Sequence, residues 1–467
     1  MRSLSRPSWI APLALLAARA EAQARPEERF AALDGIVAAA QARTGAPGVA
    51  LAVVEGGTLL LARGYGRASV EGEAAVTPDT LFQIGSVTKP FTAAALLAAV
   101  GEGELALDAP VGSAVSGLAP ELARLTLAQL LSHTAGLIDE PDEFGPQGEE
   151  GLAAYPRTWT AEYVLLPPGR AFSYSNSGFA LAGLALQERE GRPFAEILRA
   201  RVLAPLGMTR TTFRPTEAMT WPLALGHRRK DGVVEVVRPL ANDARLWPAG
   251  TLYSSARELA SFLSALAAGG ELGGKAALPA AVVRAMLEPR AEVPALGNRY
   301  GFGLWLDTYR GQARAGHGGG MTGYGALLGV LLERRIGVVV LANGDGALLG
   351  DVADAALDLA LGLAPGSPEA AAPEPAPVAL TAAELEACVG HYVNPRRFAF
   401  DVERRGEGLV LLRFGSELAL RPLGEQRFRL EPAPGRTETI AFGLGPDGRA
   451  AYAHMNVWAF ARAPAGR

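Results

Sequence analysis

Five prolines, Pro365, Pro368, Pro373, Pro375 and Pro377, stand among alanines and glutamates within residues 364–378. Proline donates no backbone hydrogen bond and fixes its own φ, so neither a helix nor a central strand can run through such a segment. A stretch of this composition stays extended. The chain is therefore expected to fold as two units joined by a linker at 364–378: a larger one over residues 25–363 and a smaller one over 379–467.

The larger unit carries strand-like segments at its two ends and helices between them. Glu27 to Arg43 reads as an amphipathic helix, and Val49 to Val54 with Leu59 to Ala62, joined across Glu55-Gly56-Gly57, as a β-hairpin. Leu81 to Gly85 is strand-like and leads into the Ala/Leu-rich Val87 to Val100, which favours helix. Helical stretches recur near 121–132, 178–189, 194–203 and 255–268. Ala326 to Leu332 and Ile336 to Leu341, flanking Glu333-Arg334-Arg335, form a second hairpin of buried type. This order predicts an α/β (α+β) fold: an antiparallel sheet completed by both ends of the unit and flanked by helices, with a helical region beside it. Beyond the linker, short runs such as Phe398-Ala399-Phe400, Leu418-Ala419-Leu420, Phe428-Arg429-Leu430 and Ile440-Ala441-Phe442 repeat between turn residues. They predict a small antiparallel β-barrel.

The N-terminus has Arg2 and Arg6, an apolar stretch from Trp9 to Ala18, and the small-residue alternations Ala20-Glu21-Ala22 and Ala22-Gln23-Ala24. That is the pattern of a cleaved secretory signal over residues 1–24. No later apolar run reaches the roughly 18 residues of a membrane helix, so the mature chain is expected to be exported, periplasmic or extracellular, without an integral membrane segment. The single Cys388 excludes an internal disulfide framework and a cysteine-based zinc site, and reads as a small core residue. A formal charge of −4 argues against a nucleic-acid partner.

Of 44 basic residues only Lys89, Lys230 and Lys275 are lysines. In a chain so biased toward arginine, a retained lysine points to chemistry that needs a side chain able to lose its proton. Lys230 and Lys275 fall in turn-like segments. Lys89 stands three residues after Ser86, where strand hands over to helix, so the two share a face. A neutral amine there can take the proton of a hydroxyl nucleophile, and the Ser86 amide, at a helix start, is free to face an oxyanion. Two further segments add to this pair: Tyr174-Ser175-Asn176 ahead of a helical stretch, and His317-Gly318-Gly319-Gly320 ahead of the second hairpin.

Together, in this order, the three elements resemble the penicillin-recognising serine hydrolases: class C β-lactamases, D-alanyl-D-alanine carboxypeptidases, D-aminopeptidases and related esterases. Leu130-Leu131-Ser132-His133-Thr134-Ala135-Gly136-Leu137, Pro205-Leu206-Gly207-Met208 and Pro248-Ala249-Gly250-Thr251 also look like that family, and the resemblance spans about residues 30–360. It implies that Ser86 is acylated, with Lys89 its proton partner. Tyr174 would be base or acid, as a phenolate steadied by positive charge or through a shuttle with Lys89. Asn176, His317 and Gly319 would bind substrate, and the amides of Ser86 and Gly320 would form the oxyanion hole. Classical β-lactamases have Lys-Thr-Gly where this chain has His317-Gly318-Gly319, so a fixed cation is replaced by a group often neutral at pH 7. Ester or peptide chemistry on a small-molecule or short-peptide substrate gains weight over β-lactam hydrolysis. Similar hydrolases carry lipocalin-like C-terminal barrels, which implies oligomerisation or cleft-shaping by residues 379–467.

Other motifs point elsewhere and do not hold. Gly318-Gly319-Gly320-Met321-Thr322-Gly323 matches G-x-G-x-x-G but leads into a strand where a dinucleotide site needs a helix, and Gly269 to Lys275 matches G-x-x-x-x-G-K but is followed by Ala276. The histidines His133, His227, His317, His391 and His454 lack metal-ligand spacing, so neither metal nor cofactor is expected. Asp139, Glu140, Asp142, Glu143, Glu149 and Glu150 fall between the first two elements. They read as a solvated run, or as a border of the cleft favouring a cationic substrate.

Overall fold

The structure is a computed structural model and describes residues 26–139, 143–367 and 378–464. The signal segment and most of the proline-rich linker fall outside the described residues.

Eight strands build the main sheet: β1 (Gly48–Glu55), β2 (Thr58–Gly66), β3 (Ala291–Val293), β4 (Asn298–Tyr300), β5 (Trp305–Tyr309), β6 (Gln312–Met321), β7 (Tyr324–Leu331) and β8 (Ile336–Ala342), in the order β2-β1-β8-β7-β6-β5-β4-β3. The two ends of the unit meet where β1 pairs antiparallel with β8, Val49 opposite Ala342 and Val53 opposite Val338. Both strands are buried on both faces, and the period of two sorts their side chains. Val49, Leu51 and Val53 join Val338 and Val340 beneath the helices α1 (Ala32–Thr44) and α5 (Leu349–Ala360). Ala50, Ala52 and Val54 join Val339 and Leu341 on the opposite face, with Phe262 of α4 (Ala256–Ala267) and Phe91 of α2 (Lys89–Gly101).

Helix α2 is buried from Lys89 to Ala99, apolar all round, as a helix running through a core must be. It packs against α3 (Asn176–Glu190), whose N-cap Ser175 accepts a hydrogen bond from the Gly178 amide.

Three expected helices are interrupted. The first breaks into Pro26–Arg29 and Ala32–Thr44. The stretch near 121–132 is two short helices, Pro120–Ala123 and Leu127–Leu131, because Thr126 and Gln129 form a capping box that starts the second one afresh. Near 194–203, Phe194–Leu198 is α-helical and Arg199–Leu203 widens into a π turn.

The C-terminal unit is a closed barrel of eight strands, each paired with its sequence neighbours: β9 (Gly390–Val393), β10 (Ala399–Arg405), β11 (Gly408–Arg413), β12 (Ser416–Gly424), β13 (Arg427–Ala433), β14 (Arg436–Leu444), β15 (Ala450–Met455) and β16 (Trp458–Arg462). At this strand number the interior is narrow enough for side chains to fill. Phe400, Phe428, Ile440, Phe442, Met455 and Phe460 pack there with Tyr392 and the buried Cys388. The barrel seats its β15–β16 connection and the start of β16 on the main unit. The Val457 carbonyl, between β15 and β16, accepts from the Tyr174 amide at 2.8 Å, and the Ala459 amide donates to Ser173 Oγ at 3.2 Å. Among the described residues no helix is long and apolar enough to cross a membrane.

Candidate active site

Ser86 lies in a short 3-10 turn, Gly85–Thr88, feeding directly into α2. Lys89, the first residue of that helix, has no solvent exposure. Its Nζ donates to Ser86 Oγ at 3.0 Å, to Asn176 Oδ1 at 2.6 Å and to the Ala249 carbonyl at 2.7 Å. Burial pulls its ammonium from the ordinary 10.5 down to about 7, against a small opposing pull from Asp139. Tyr174 lies beside Lys89, its ring centroid 4.8 Å from Nζ. Burial drives the phenol well above its usual range, so Tyr174 is held protonated rather than as a phenolate.

Strand β6 outlasts its neighbour. β5 pairs with it only as far as Trp305 opposite Gly316, leaving 317–321 without a strand on that side. The Gly85–Ser86 turn packs against this open edge. A Cβ on Gly319 would lie 2.0 Å from the Ile84 carbonyl and 2.9 Å from the Ser86 amide nitrogen. Gly85, at φ +50°, would put one 2.7 Å from the Gly320 nitrogen. Glycine at both positions is what lets the two backbones, and the amides of Ser86 and Gly320, come together.

His317 turns away from Ser86. Its Nε2 sits 3.0 Å from the Tyr300 hydroxyl and its Nδ1 2.6 Å from the Gly318 carbonyl. A carbonyl only accepts, so Nδ1 carries the proton and Nε2 accepts from Tyr300. Burial holds the ring at about 3, so His317 is neutral. His133, at φ +58° just past a helix end, accepts from the Ser175 amide through Nδ1 and packs tilted against Tyr174 with centroids 4.3 Å apart.

A cavity of about 190 Å³ opens onto Ser86. Asn176, Gly320, Ala249, Glu143, Asp243 and Arg397 are among the residues that line it; Lys89 and Tyr174 lie behind, and His317 is not part of the wall. Asp243 is paired with Arg245. Glu143 accepts from the Thr322 amide and hydroxyl, both at 2.7 Å, and has no ion-pair partner among the described residues. Of the acidic run read as solvated, then, Glu143 borders the cavity and Asp139 is buried behind it; Glu140 and Asp142 lie outside the described residues.

Sequence reasoning missed Arg397. It comes from the barrel's β9–β10 connection, donates to Asp139, and lies with its guanidinium carbon 3.9 Å from the Trp458 ring centroid. No local pattern marks it, because the residues it serves are more than 250 positions away. Among the described residues no cluster of His, Cys, Asp and Glu is arranged to hold a metal ion.

Comparisons with known proteins place the chain in a family. The β-lactamase family model matches residues 33–363. Penicillin-binding protein 4 of Amycolatopsis lactamdurans is 34% identical over 191 residues, 39% of this chain and 48% of that protein, so the chain spans about half of that relative's length. The D-aminopeptidase of Gluconobacter oxydans (strain 621H) is 31% identical over 374 residues, 78% of this chain and 68% of that protein. Among solved structures, SurE with D-Leu superposes with a TM-score of 0.74 at 28% identity, covering 94% of this chain and 99% of that one.

Proposed function

The chain belongs to the β-lactamase family, and from that premise we propose that it is an exported serine hydrolase cleaving amides or esters of D-amino acids through an acyl-enzyme on Ser86. The observation that carries this reading is Lys89: fully buried, 3.0 Å from Ser86 Oγ, and brought to about 7, so that it is a free amine over much of the neutral range.

Neutral Lys89 takes the Ser86 proton as Oγ attacks the substrate carbonyl. The resulting oxyanion is met by the amides of Ser86 and Gly320, each such donor stabilising the transition state by roughly 3–4 kcal/mol. Collapse breaks the bond to the leaving group, which takes the Tyr174 phenol proton; the Lys89 ammonium returns a proton to Tyr174. Water then attacks the acyl carbonyl and gives its proton to the same pair, which returns a proton to Ser86 Oγ as the acyl–oxygen bond breaks and the acid leaves. Of the two roles left open for Tyr174, that of a protonated hydroxyl working with Lys89 is favoured, because no fixed cation beside it offsets the burial of a phenolate.

The substrate class is supported by two observations. A relative is named D-aminopeptidase and a similar structure was solved with D-Leu. Within the cavity, the Glu143 carboxylate, which has no ion-pair partner among the described residues, suits a substrate carrying a free ammonium. The neutral His317, set back from the wall, supplies no cation for the carboxylate of a β-lactam.

The test is a panel of D-alanine p-nitroanilide, its L-enantiomer, a p-nitrophenyl ester and a cephalosporin, with product and intact mass followed together. Turnover of the D-anilide above the L-anilide, lost in Ser86→Ala, is expected. A stable adduct without turnover would instead mark a sensor, and no adduct on any substrate, or one surviving in Ser86→Ala, would overturn the reading.

A further inference from the structure

Lys89 is surrounded by titratable groups that burial keeps uncharged. His133 lies well below its ordinary range and His317 at about 3, while Tyr174 and Tyr300 are both raised. Asp243 is neutralised by Arg245, and Glu143 is engaged by Thr322. The carboxylate that acts on Lys89 is Asp139, which is 2% exposed. One of its oxygens accepts from the Asn176 amide at 2.8 Å, and the side-chain oxygen of Asn176 accepts from Lys89 Nζ at 2.6 Å. The other oxygen of Asp139 accepts from Arg397 of the barrel.

A buried carboxylate left alone beside an amine does one of two things. It takes up a proton itself, or it keeps the amine protonated. Either outcome would disturb a base that must be neutral to work. The guanidinium of Arg397 prevents both. It lowers the proton affinity of Asp139, which burial otherwise raises, and its positive charge lies against the carboxylate that acts on Lys89. Trp458, in the strand after the loop that caps Tyr174, supplies the face on which the guanidinium lies.

We propose that Arg397 is a positioning residue of the hydrolase reaction: brought across the domain boundary by the barrel, it holds Asp139 ionised against the Asn176 amide and so fixes the charge balance under which Lys89 works. The C-terminal domain is on this account part of the catalytic apparatus. The inference rests on Lys89 being the base for Ser86.

The full-length protein and its variants are labelled with a fluorophosphonate across about pH 5 to 9, and the rate of Ser86 modification is read by intact mass. Asp139→Asn keeps an acceptor for the Asn176 amide but removes the charge and leaves Arg397 unopposed, so the acid limb moves down by about one pH unit. Arg397→Gln leaves the carboxylate unopposed, so the limb moves up by a similar amount. The double variant returns close to wild type, and Arg397→Lys restores the limb even if its rate is lower. A purely structural role for Arg397 would lower rates without moving any limb. Limbs that stay fixed, or that move the same way in both single variants, overturn the inference. If Arg397→Gln does not fold, the downward shift in Asp139→Asn decides alone. Failure of the wild type to be labelled at Ser86 overturns the reading of the nucleophile itself, and this inference with it.

Discussion

Both halves of the molecule are built on eight antiparallel strands, yet only one can hold the chemistry. The barrel pairs every strand with its sequence neighbours and closes, so its backbone amides are taken up by its own ladder. The main sheet is open, and β6 runs five residues past the end of β5, from His317 to Met321. Unpaired amides on that edge are free to meet the Ser86 turn. The barrel contributes along one rim, with the Val457 carbonyl and Arg397 from loops and the Ala459 amide and Trp458 ring from the start of β16. On the proposed reading an open edge supplies the oxyanion donors, and a closed barrel supplies a cap and a counter-charge.

The sharpest way to break this division is Lys89→Arg. The charge is kept, but guanidinium cannot take the Ser86 proton, so acylation should fall at least about 10³-fold, or about 4 kcal/mol. Wild-type labelling in that variant would remove Lys89 from the mechanism. Next is Gly319→Ala, whose methyl would collide with the Ile84 carbonyl. It should push β6 off the Ser86 turn, with acylation lost by about 10²-fold and stability by about 1–3 kcal/mol; a fully active variant would mean the edge amides are not used.

The pH profile sharpens the electrostatic side of the comparison. Lys89 is lowered to about 7, so acylation should rise with pH through about 7 and plateau above it, where the amine is free. The same group favours folding at higher pH, because below the ordinary lysine value the unfolded chain binds its proton more readily than the native site does. His317, at about 3, should add no limb near its ordinary 6.5. A limb there that vanishes in His317→Gln would contradict its neutral, set-back placement.

Trp458→Ala tests the barrel's share. Removing the face beneath Arg397 should slow acylation by about 2- to 30-fold, since a cation-π contact of this kind is worth about 0.5–2 kcal/mol. The smallest effect belongs to Thr381→Ala, which breaks the capping box of the barrel's short helix Ala382–Cys388. It should cost about 1 kcal/mol in a thermal melt and leave acylation unchanged, because nothing in that cap touches the site.

Much of this was legible along the chain. Ser86 and Lys89 sit within one turn, so local spacing alone brings hydroxyl and amine together. The two strand pairs at the ends of the larger unit were visible as buried apolar runs, and the alternating segments after the prolines as a barrel. Helix boundaries were less legible, since a capping box such as Thr126 and Gln129 restarts a helix inside a stretch whose composition reads as continuous. The acidic run left two readings open for a related reason: charge in sequence says nothing of which carboxylate is covered, and Asp139 is buried where Asn176 and Arg397 receive it while Glu143 borders the cavity.

Sequence by itself determined the reaction class, because the Ser-x-x-Lys, Tyr-x-Asn and His-x-Gly elements are short-range patterns whose order survives without any knowledge of contacts. Tertiary structure alone decided the charge states. Whether Lys89 is an amine, Tyr174 a phenol and His317 a neutral ring depends on desolvation, which comes from residues far apart in the chain closing over one another. It also decided that Arg397 belongs to the site, since a loop of the second domain reaches the first only once both have folded.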